Sequence, residues 1–153
     1  MLTQDEYYDV NRAAKTLLYT DHMIYSPDVP FFRDEDNQFL TEPYFASVIT
    51  APAPNAGQIK EHETSSVRKI QETLHRRVGQ VLALCDAREH RTLLLGAWGC
   101  GVFQNEPVEL AQSFKTWLES ERFTGAFERV VFAVYDPSKA KANLKAFEAV
   151  FPG

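Results

Sequence analysis

The strongest constraint on the fold of this chain is an alternation of short apolar runs and amphipathic helical patterns in its second half. The runs at 92–95 (TLLL) and 129–135 (RVVFAVY) are typical of strands covered on both faces. Each run is followed by apolar residues at helical spacing, at 108–118 and at 140–150. Consecutive strand–helix units imply parallel pairing with right-handed crossovers. The sequence therefore predicts an α/β fold in which helices cover a sheet.

The residue pattern in the first half of the chain predicts one helix and two extended segments. Apolar residues at helical spacing, uninterrupted by Gly or Pro, predict a helix over 4–20. The stretch Tyr25–Arg33 contains Pro27 and Pro30, which fix φ and remove two backbone donors, so we expect edge or extended structure there. Residues 44–51 favour a strand that ends at the loop APAPNAG.

The helices of the second half are predicted from their apolar stripes and their capping residues. Asn105 is placed to cap the helix that follows it, with Pro107 in the first turn, and Pro137 is expected to open the last helix. The longest helix, at 65–88, has one apolar stripe and one polar face. We expect that solvated face to contain Lys69, Glu72, His75, Arg76 and Arg77.

Length and composition limit the classes of protein to which the chain can belong. Residues 1–153 suffice for a single domain with one core. A net charge of −5 argues against general nucleic-acid binding, which needs a basic surface. No apolar run reaches the roughly 18 residues of a membrane span, and the acidic start resembles no leader peptide. Cys85 and Cys100 fit neither a metal site nor a disulfide framework. We therefore expect a soluble intracellular domain, cytoplasmic or nuclear, that contacts no membrane.

The segment Gly96–Asn105 (GAWGCGVFQN) is the leading candidate for a binding site. It places three glycines between the end of a predicted strand and the start of a helix. Ligands of open α/β sheets bind at the carboxyl ends of strands, where a glycine-rich turn can hold an anion with backbone amides. A diphosphate is the expected occupant; the alternative is a tight turn whose glycines only permit packing. The segment has neither the lysine of a P-loop nor GxGxxG spacing.

Three side chains within this segment are candidates for contact with a ligand. Phe103 can stack on a ribose or a base, and Trp98 can pack beneath the loop, with core packing as the alternative for both. Cys100 lies near a helix N-terminus, where a thiol can become nucleophilic. It has no His or Asp neighbour in the sequence, so we interpret it as an apolar filler.

Outside this segment, Asn55 is the main candidate. Its side chain can donate to and accept from a purine edge or a ribose, and closing an Asx turn is the alternative. Asp28 is expected to order its loop rather than hold a ribose hydroxyl. The acidic residues lie in no glycine-framed apolar loop that would aim them, so no catalytic residue is predicted. We expect neither a metal nor a cofactor, because metal-ligand spacing is absent among the histidines, which are His22, His62, His75 and His90.

Four stretches of the sequence together resemble the microbial-type poly(ADP-ribose) glycohydrolases. The strings LLLGAWGCGVFQNEPVELAQSF (Leu93–Phe114) and FERVVFAVYD (Phe127–Asp136) are similar to the C-terminal half of that family. The strings LYTDHMIYSPDVPFFRD (Leu18–Asp34) and SVITAPAPN (Ser47–Asn55) are similar to its middle. Their order and approximate spacing agree with the family, so the resemblance extends over nearly the whole chain. GAWGCGVF is its most specific string.

The resemblance implies a macrodomain-like three-layer α/β/α sandwich with a mixed sheet. It implies a partner as well, ADP-ribose or an ADP-ribosylated protein. In such a site Phe103 is expected against the distal ribose and Asn55 at the border of the pocket, while backbone amides wrap the diphosphate. The residues expected at the diphosphate are Gly96, Ala97, Trp98, Gly99, Cys100, Gly101 and Val102.

One difference from the family limits this expectation. The family has an earlier region with a Gly-Gly-Gly loop and a Gln-Glu-Glu motif, whose second glutamate acts at the ribosyl bond. Neither GGG nor QEE occurs in this sequence. We therefore expect an N-terminally truncated, partial domain that binds ADP-ribose without hydrolysing it. One alternative is an active ADP-ribose glycohydrolase whose acid comes from a missing segment or a second chain. The other is a non-catalytic interaction module that self-associates through an exposed sheet edge.

Overall fold

The computed structural model describes residues 4–152, and the chain divides into two compact units. The first unit comprises the residues up to Ala14 together with Thr20–Pro52. The second comprises Lys15–Tyr19 together with the chain from Ala53 onward. That residues 1–153 act as a single domain stays a prediction. No helix in the described range is both long enough and apolar enough to cross a membrane.

The first unit consists of a short helix and a long hairpin. Helix α1 (Asp5–Ala13) is followed by strands β1 (Ile24–Arg33) and β2 (Phe39–Thr50), which pair antiparallel. The predicted helix over 4–20 is too long. Lys15 has a φ of +48°, and a left-handed residue ends the right-handed helical path.

The hairpin confirms the extended structure predicted for the proline-containing stretch. In a two-stranded sheet every strand is an edge, which is where prolines are tolerated. The register is irregular between Ser26 and Val29, where Asp28 has a φ of +49°. Aromatic side chains of the hairpin stack on one another, as shown by the rings of Phe31 and Tyr44, whose centroids are 5.1 Å apart.

The second unit contains the strand–helix pattern that the sequence predicts. Strand β3 (Thr92–Leu95) pairs in parallel with β4 (Arg129–Phe132), and helix α4 (Pro107–Leu118) lies between them in the chain. The predicted α/β class and the parallel pairing are thereby confirmed. The strands of the described residues form two two-stranded sheets, one antiparallel and one parallel. The remaining elements are α2 (Ala56–His62), a 3₁₀ helix (Thr64–Lys69), α3 (Ile70–Ala87) and α5 (Ala142–Val150).

The core of the second unit is built on α3 and α4. Leu82 of α3 and Leu110 of α4 are fully buried. Gly79 permits close packing of the two helices, because a Cβ atom there would lie 2.6 Å from the ring of Trp117. The indole N–H of Trp117 donates to the carbonyl oxygen of His75 at 2.9 Å.

Two residues of α3 do not lie on the solvated face that periodicity predicts. Arg77 is fully buried, and its Nη2 donates to the carbonyl oxygen of Tyr19 at 2.9 Å. His75 is half-buried and stacks on Trp117, with 5.2 Å between the ring centroids. Both predictions are wrong because distant parts of the chain supply partners for these polar side chains.

The strands and the last helix also differ from prediction. Successive side chains of a strand face opposite ways, and β3 is covered on one face only: Leu93 is 5% exposed and Leu94 is 75% exposed. β4 ends at Phe132 rather than at position 135. α5 begins at Ala142 rather than at Pro137, because Asp136 accepts a hydrogen bond from the N–H of Asn143 and so caps the helix from a distance.

Candidate functional site

The glycine-rich loop, Gly96–Asn105, connects the carboxyl end of β3 to α4 and is folded into consecutive tight turns. The N–H of Cys100 donates to the carbonyl oxygen of Ala97 at 3.1 Å, and that of Gln104 donates to Gly101 at 3.0 Å. The loop therefore lies at a strand end, where α/β sheets bind their ligands.

Several backbone N–H groups of this loop have no partner within residues 4–152. They include those of Gly99, Gly101, Val102 and Phe103. Gly101 and Val102 are exposed, so their N–H groups face solvent rather than a protein acceptor. Gly99 has a φ of +75°, and a left-handed residue in a turn is the backbone geometry of anion-binding nests. The loop can therefore donate hydrogen bonds to an anion.

Asn105 does not cap α4 as predicted. The N-cap position is occupied by Glu106 in extended conformation, with Pro107 in the first turn. Asn105 is 3% exposed, and its Nδ2 donates to the carbonyl oxygens of Pro54 at 2.8 Å and Gly99 at 2.9 Å. The prediction is wrong by one position, since the extended residue that precedes a helical proline takes the cap. Asn105 instead joins two loops.

Gly99 is held in a tightly packed position, whereas Gly101 is not. A Cβ atom on Gly99 would lie 2.5 Å from Cβ of Ala53 and 2.7 Å from Nδ2 of Asn105. A Cβ atom on Gly101 would meet no heavy atom within 4 Å. The two glycines of the candidate diphosphate loop therefore serve different purposes.

The segment Ala53–Asn55 lies beside the glycine-rich loop. Asn55 is the N-cap of α2, where its Oδ1 accepts a hydrogen bond from the N–H of Gln58 at 3.3 Å. At the start of the same helix, the N–H of Gly57 donates to the carbonyl oxygen of Phe103 at 3.0 Å. The structure thus brings the predicted residues Asn55 and Phe103 onto neighbouring segments.

Tyr19 is a residue of this region that sequence reasoning did not single out. Its ring centroid lies 6.1 Å from that of Phe103, with the ring planes tilted by 30°. It has a φ of +60°, and its carbonyl oxygen accepts the hydrogen bond from buried Arg77. Glu63 fixes the preceding residues by accepting hydrogen bonds from the hydroxyl of Thr16 and the N–H of Leu17. Tyr19 lay within a family-like string, but its neighbour in space could not be read from that string.

Cys100 lacks the properties of a nucleophile. Burial, reinforced by the carboxylate of Glu106, raises the pKa of its thiol to about 12, so the group is protonated at neutral pH. Its Sγ donates only a weak hydrogen bond to the carbonyl oxygen of Trp98, at 3.8 Å. These properties agree with an apolar filler. Glu106 is itself paired with Lys60, with 3.5 Å between Nζ and Oε1.

Glu63 and Asp136 do not have the character of general acids. Hydrogen bonds, led by that from the Ser66 hydroxyl, lower the pKa of Glu63. Hydrogen bonds from Ser138 and from the backbone of Asn143 lower the pKa of Asp136. A carboxylic acid that protonates a leaving group near neutral pH needs a raised pKa. Within residues 4–152, no group of three or more His, Cys, Asp or Glu side chains could hold a metal ion.

Comparison with known proteins finds similarity to one group of enzymes. The model of the microbial-type poly(ADP-ribose) glycohydrolase catalytic domain matches residues 1–34. The crystal structure of poly(ADP-ribose) glycohydrolase from Deinococcus radiodurans in complex with ADP-ribose is 44% identical, with a TM-score of 0.92 over 95% of this chain and 58% of that chain. The enzyme from Thermomonospora curvata is 40% identical, with a TM-score of 0.89 over 96% of this chain and 53% of that chain. No curated protein sequence matches.

These similarities confirm both the resemblance and the macrodomain-like α/β fold that it implied. The identity extends over nearly the whole chain, whereas the chain spans 58% of the length of the Deinococcus radiodurans structure. This chain is therefore related to the microbial-type poly(ADP-ribose) glycohydrolases over nearly its whole length.

Proposed function

We propose that this chain binds ADP-ribose, with the diphosphate on the glycine-rich loop. The observation that best supports this is that the N–H groups of Gly99, Gly101 and Val102 have no partner among residues 4–152. A diphosphate presents several acceptor oxygens close together, as such a set of donors requires. The similar Deinococcus radiodurans enzyme was crystallised with ADP-ribose, which supports the same class of ligand.

The chemistry of the loop favours recognition of a diphosphate by shape rather than by charge. Gly96–Asn105 contains no Lys or Arg, so its donors are neutral amides. Lys60, close to the end of the loop, is paired with Glu106. We therefore expect binding that depends only weakly on ionic strength, because salt screens interactions between charges and the donors of this loop carry none.

Phe103 and Asn55 are proposed to contact the sugar or the base. Phe103 is half-buried, and its ring lies 6.1 Å from that of Tyr19, centroid to centroid. Oδ1 of Asn55 is occupied in capping α2, which leaves its Nδ2 as the atom suited to donate to a ribose oxygen or a purine nitrogen. Trp98 is half-buried, and we propose that it supports the loop from below.

Binding rather than hydrolysis is proposed for this chain. Glycosidic bond cleavage uses a positioned carboxylic acid. The pKa values of Glu63 and Asp136 are lowered, and both carboxylates accept hydrogen bonds within the fold. Both free cysteines, Cys85 and Cys100, are consistent with a reducing intracellular compartment, which we include in the proposal.

Isothermal titration calorimetry tests the proposal directly. ADP-ribose should give a saturable heat, while AMP and ribose 5-phosphate, each with a single phosphate, should bind at least about tenfold more weakly. Absence of heat at millimolar ADP-ribose would remove the proposed function. Equal affinity for AMP would move the site away from the diphosphate loop.

Incubation with an ADP-ribosylated protein tests the hydrolytic alternative in the same preparation. We expect this chain to bind the modified protein without releasing free ADP-ribose from it. If more free ADP-ribose is released than in a control without this chain, the proposal of binding alone is wrong and the active-glycohydrolase alternative is supported.

Self-association through the parallel sheet is the second candidate property. It is favoured by the exposed side chain of Leu94 on β3, because burying apolar surface against a second copy lowers the free energy. Light scattering after size exclusion should show a dimer that Leu94→Gln dissociates. A monomer at micromolar concentration would exclude self-association in that range.

A further inference from the structure

We propose that Asn105 is a positioning residue that holds the glycine-rich loop and the segment Ala53–Asn55 in one binding-competent arrangement. This inference rests on the proposed function, because the arrangement it maintains is that of the proposed ADP-ribose site. Asn105 itself is buried and is not proposed to contact the ligand.

The contacts of Asn105 connect segments that are distant in the sequence. Both hydrogens of its Nδ2 are used, one on the carbonyl oxygen of Pro54 and one on that of Gly99. Its backbone N–H donates to the same Gly99 oxygen at 3.1 Å. One residue therefore closes the loop from 99 to 105 and joins it to a segment 51 positions earlier.

The Oδ1 atom of the Asn105 amide allows a substitution that changes only donated hydrogen bonds. Oδ1 is buried and has no hydrogen-bond partner within the described residues. The two neighbouring carbonyl oxygens can only accept, so the amide orientation that points Nδ2 at them is the one that forms hydrogen bonds. A leucine side chain of similar shape therefore removes two donated hydrogen bonds and no accepted one.

Loss of these hydrogen bonds is expected to separate the two segments in the ligand-free protein. The N–H groups of Gly99, Gly101 and Val102 would then have to return to one arrangement before the diphosphate can bind. Apparent affinity falls by the factor by which the competent population falls. For two hydrogen bonds we expect a loss of about tenfold or more.

The test uses Asn105→Leu, Asn105→Asp and the unsubstituted chain. Amide hydrogen exchange without ligand should accelerate about tenfold at Cys100 and Gln104, whose N–H groups donate within the glycine-rich loop, and at Gly57 of α2, whose N–H donates to Phe103 of that loop. Exchange at the centre of α3 should be unchanged. Calorimetry with ADP-ribose should show a matching loss of affinity. Leu82→Ala, a core truncation in α3, is the control for general destabilisation and should leave the affinity unchanged.

The Asn105→Asp variant adds a titration that a general loss of stability would not produce. The introduced carboxyl lies beside two carbonyl oxygens in a buried place, which disfavours its charged form. When protonated it can donate one hydrogen bond, so affinity should recover partly as the pH falls from 8 to 5. Asn105→Leu has no proton to gain and should show no recovery.

The outcomes separate this inference from the proposed function. Unchanged exchange at Gly57 and Cys100 in Asn105→Leu overturns the positioning role, whether or not ADP-ribose binds. Undiminished affinity in that variant also overturns it, while leaving the proposed function intact. If the unsubstituted chain binds no ADP-ribose but exchange accelerates at Gly57 and Cys100, the proposed function fails and the structural link stands.

Discussion

The base and the tip of the glycine-rich loop are constructed in opposite ways. At the base, Gly99 is enclosed by Ala53 and Asn105, and both hydrogens of the Asn105 amide nitrogen are used. At the tip, Gly101 has open space around it and Val102 is 91% exposed. The N–H groups of both tip residues have no partner in the described part of the chain.

This difference indicates that the base and the tip of the loop have separate roles. The base has the dense packing of a protein core, which fixes backbone shape at the expense of tolerance to substitution. The tip has N–H donors without a partner in the described part of the chain, and open space beside Gly101. We infer that the base determines the shape of the site and that the tip is where the diphosphate binds. Substitutions at each place can therefore break stability and affinity separately.

The largest effect is expected for Gly99→Ala. The left-handed φ disfavours any Cβ, and the added atom would overlap Ala53 at 2.5 Å. We expect the free energy of unfolding to fall by about 3 kcal/mol and ADP-ribose binding to be lost. Urea denaturation and calorimetry measure the two effects.

Gly125→Ala is the matched control for that substitution. Gly125 has the same φ of +75°, but a Cβ atom added there would meet no heavy atom within 4 Å, so it isolates the backbone cost, about 1 kcal/mol. Its affinity for ADP-ribose should be normal. Equal destabilisation by Gly99→Ala and Gly125→Ala would show that packing around Gly99 does not increase the cost of the added Cβ. The proposed difference between base and tip would then be wrong.

The sequence predicted the loop itself because its signal is local. Glycines after an apolar strand and before Pro107 specify a strand–loop–helix unit, and the structure contains that unit. The parallel pairing of β3 and β4 follows from the same local alternation. Such features depend on neighbours in the chain, which a sequence displays.

The arrangement around the loop could not be predicted, because it depends on distant partners. Asn105 before Glu106 and Pro107 has the signature of a cap, yet its acceptor on Pro54 lies 51 positions away. Arg77 occupies a polar position by periodicity, yet it is buried on the carbonyl oxygen of Tyr19, 58 positions away. Buried polar side chains find whichever partner the fold supplies, and no local pattern identifies that partner.

The second largest effect is expected for Gly101→Val. The open space should accept the side chain with a change in unfolding free energy below about 0.5 kcal/mol. The isopropyl group would then occupy the space proposed for phosphate oxygens, so affinity should fall at least about tenfold. Calorimetry and urea denaturation on the same sample measure both quantities.

Val102→Ala is the control at the tip. It trims an exposed side chain and leaves the backbone N–H in place, so affinity should be unchanged within about twofold. Unaltered binding by Gly101→Val would place the diphosphate elsewhere and would end the distinction between base and tip.

A smaller effect is expected for Glu106→Gln. The field of this carboxylate reaches the loop, since it contributes to the raised pKa of Cys100. Removing a negative charge near a bound anion should tighten binding about twofold at low salt, with less effect at high salt. Glu119→Gln removes the same charge at the other end of α4, about 18 Å away, and should have no effect. Equal effects of both variants would indicate a response to net charge alone.

The smallest effect is expected for Cys100→Ala, because this half-buried side chain, next to Gly99 at the base, is not proposed to contact the ligand. Its thiol has a pKa of about 12, so at pH 9 only about one molecule in a thousand is ionised. Affinity for ADP-ribose should therefore be flat from pH 6 to pH 9 in both the unsubstituted chain and the variant, and equal within about twofold. Alkylation of Cys100 should be slow over the same range for the same reason. Rapid alkylation, or a loss of affinity in Cys100→Ala, would contradict this prediction and would place the Cys100 side chain at the tip.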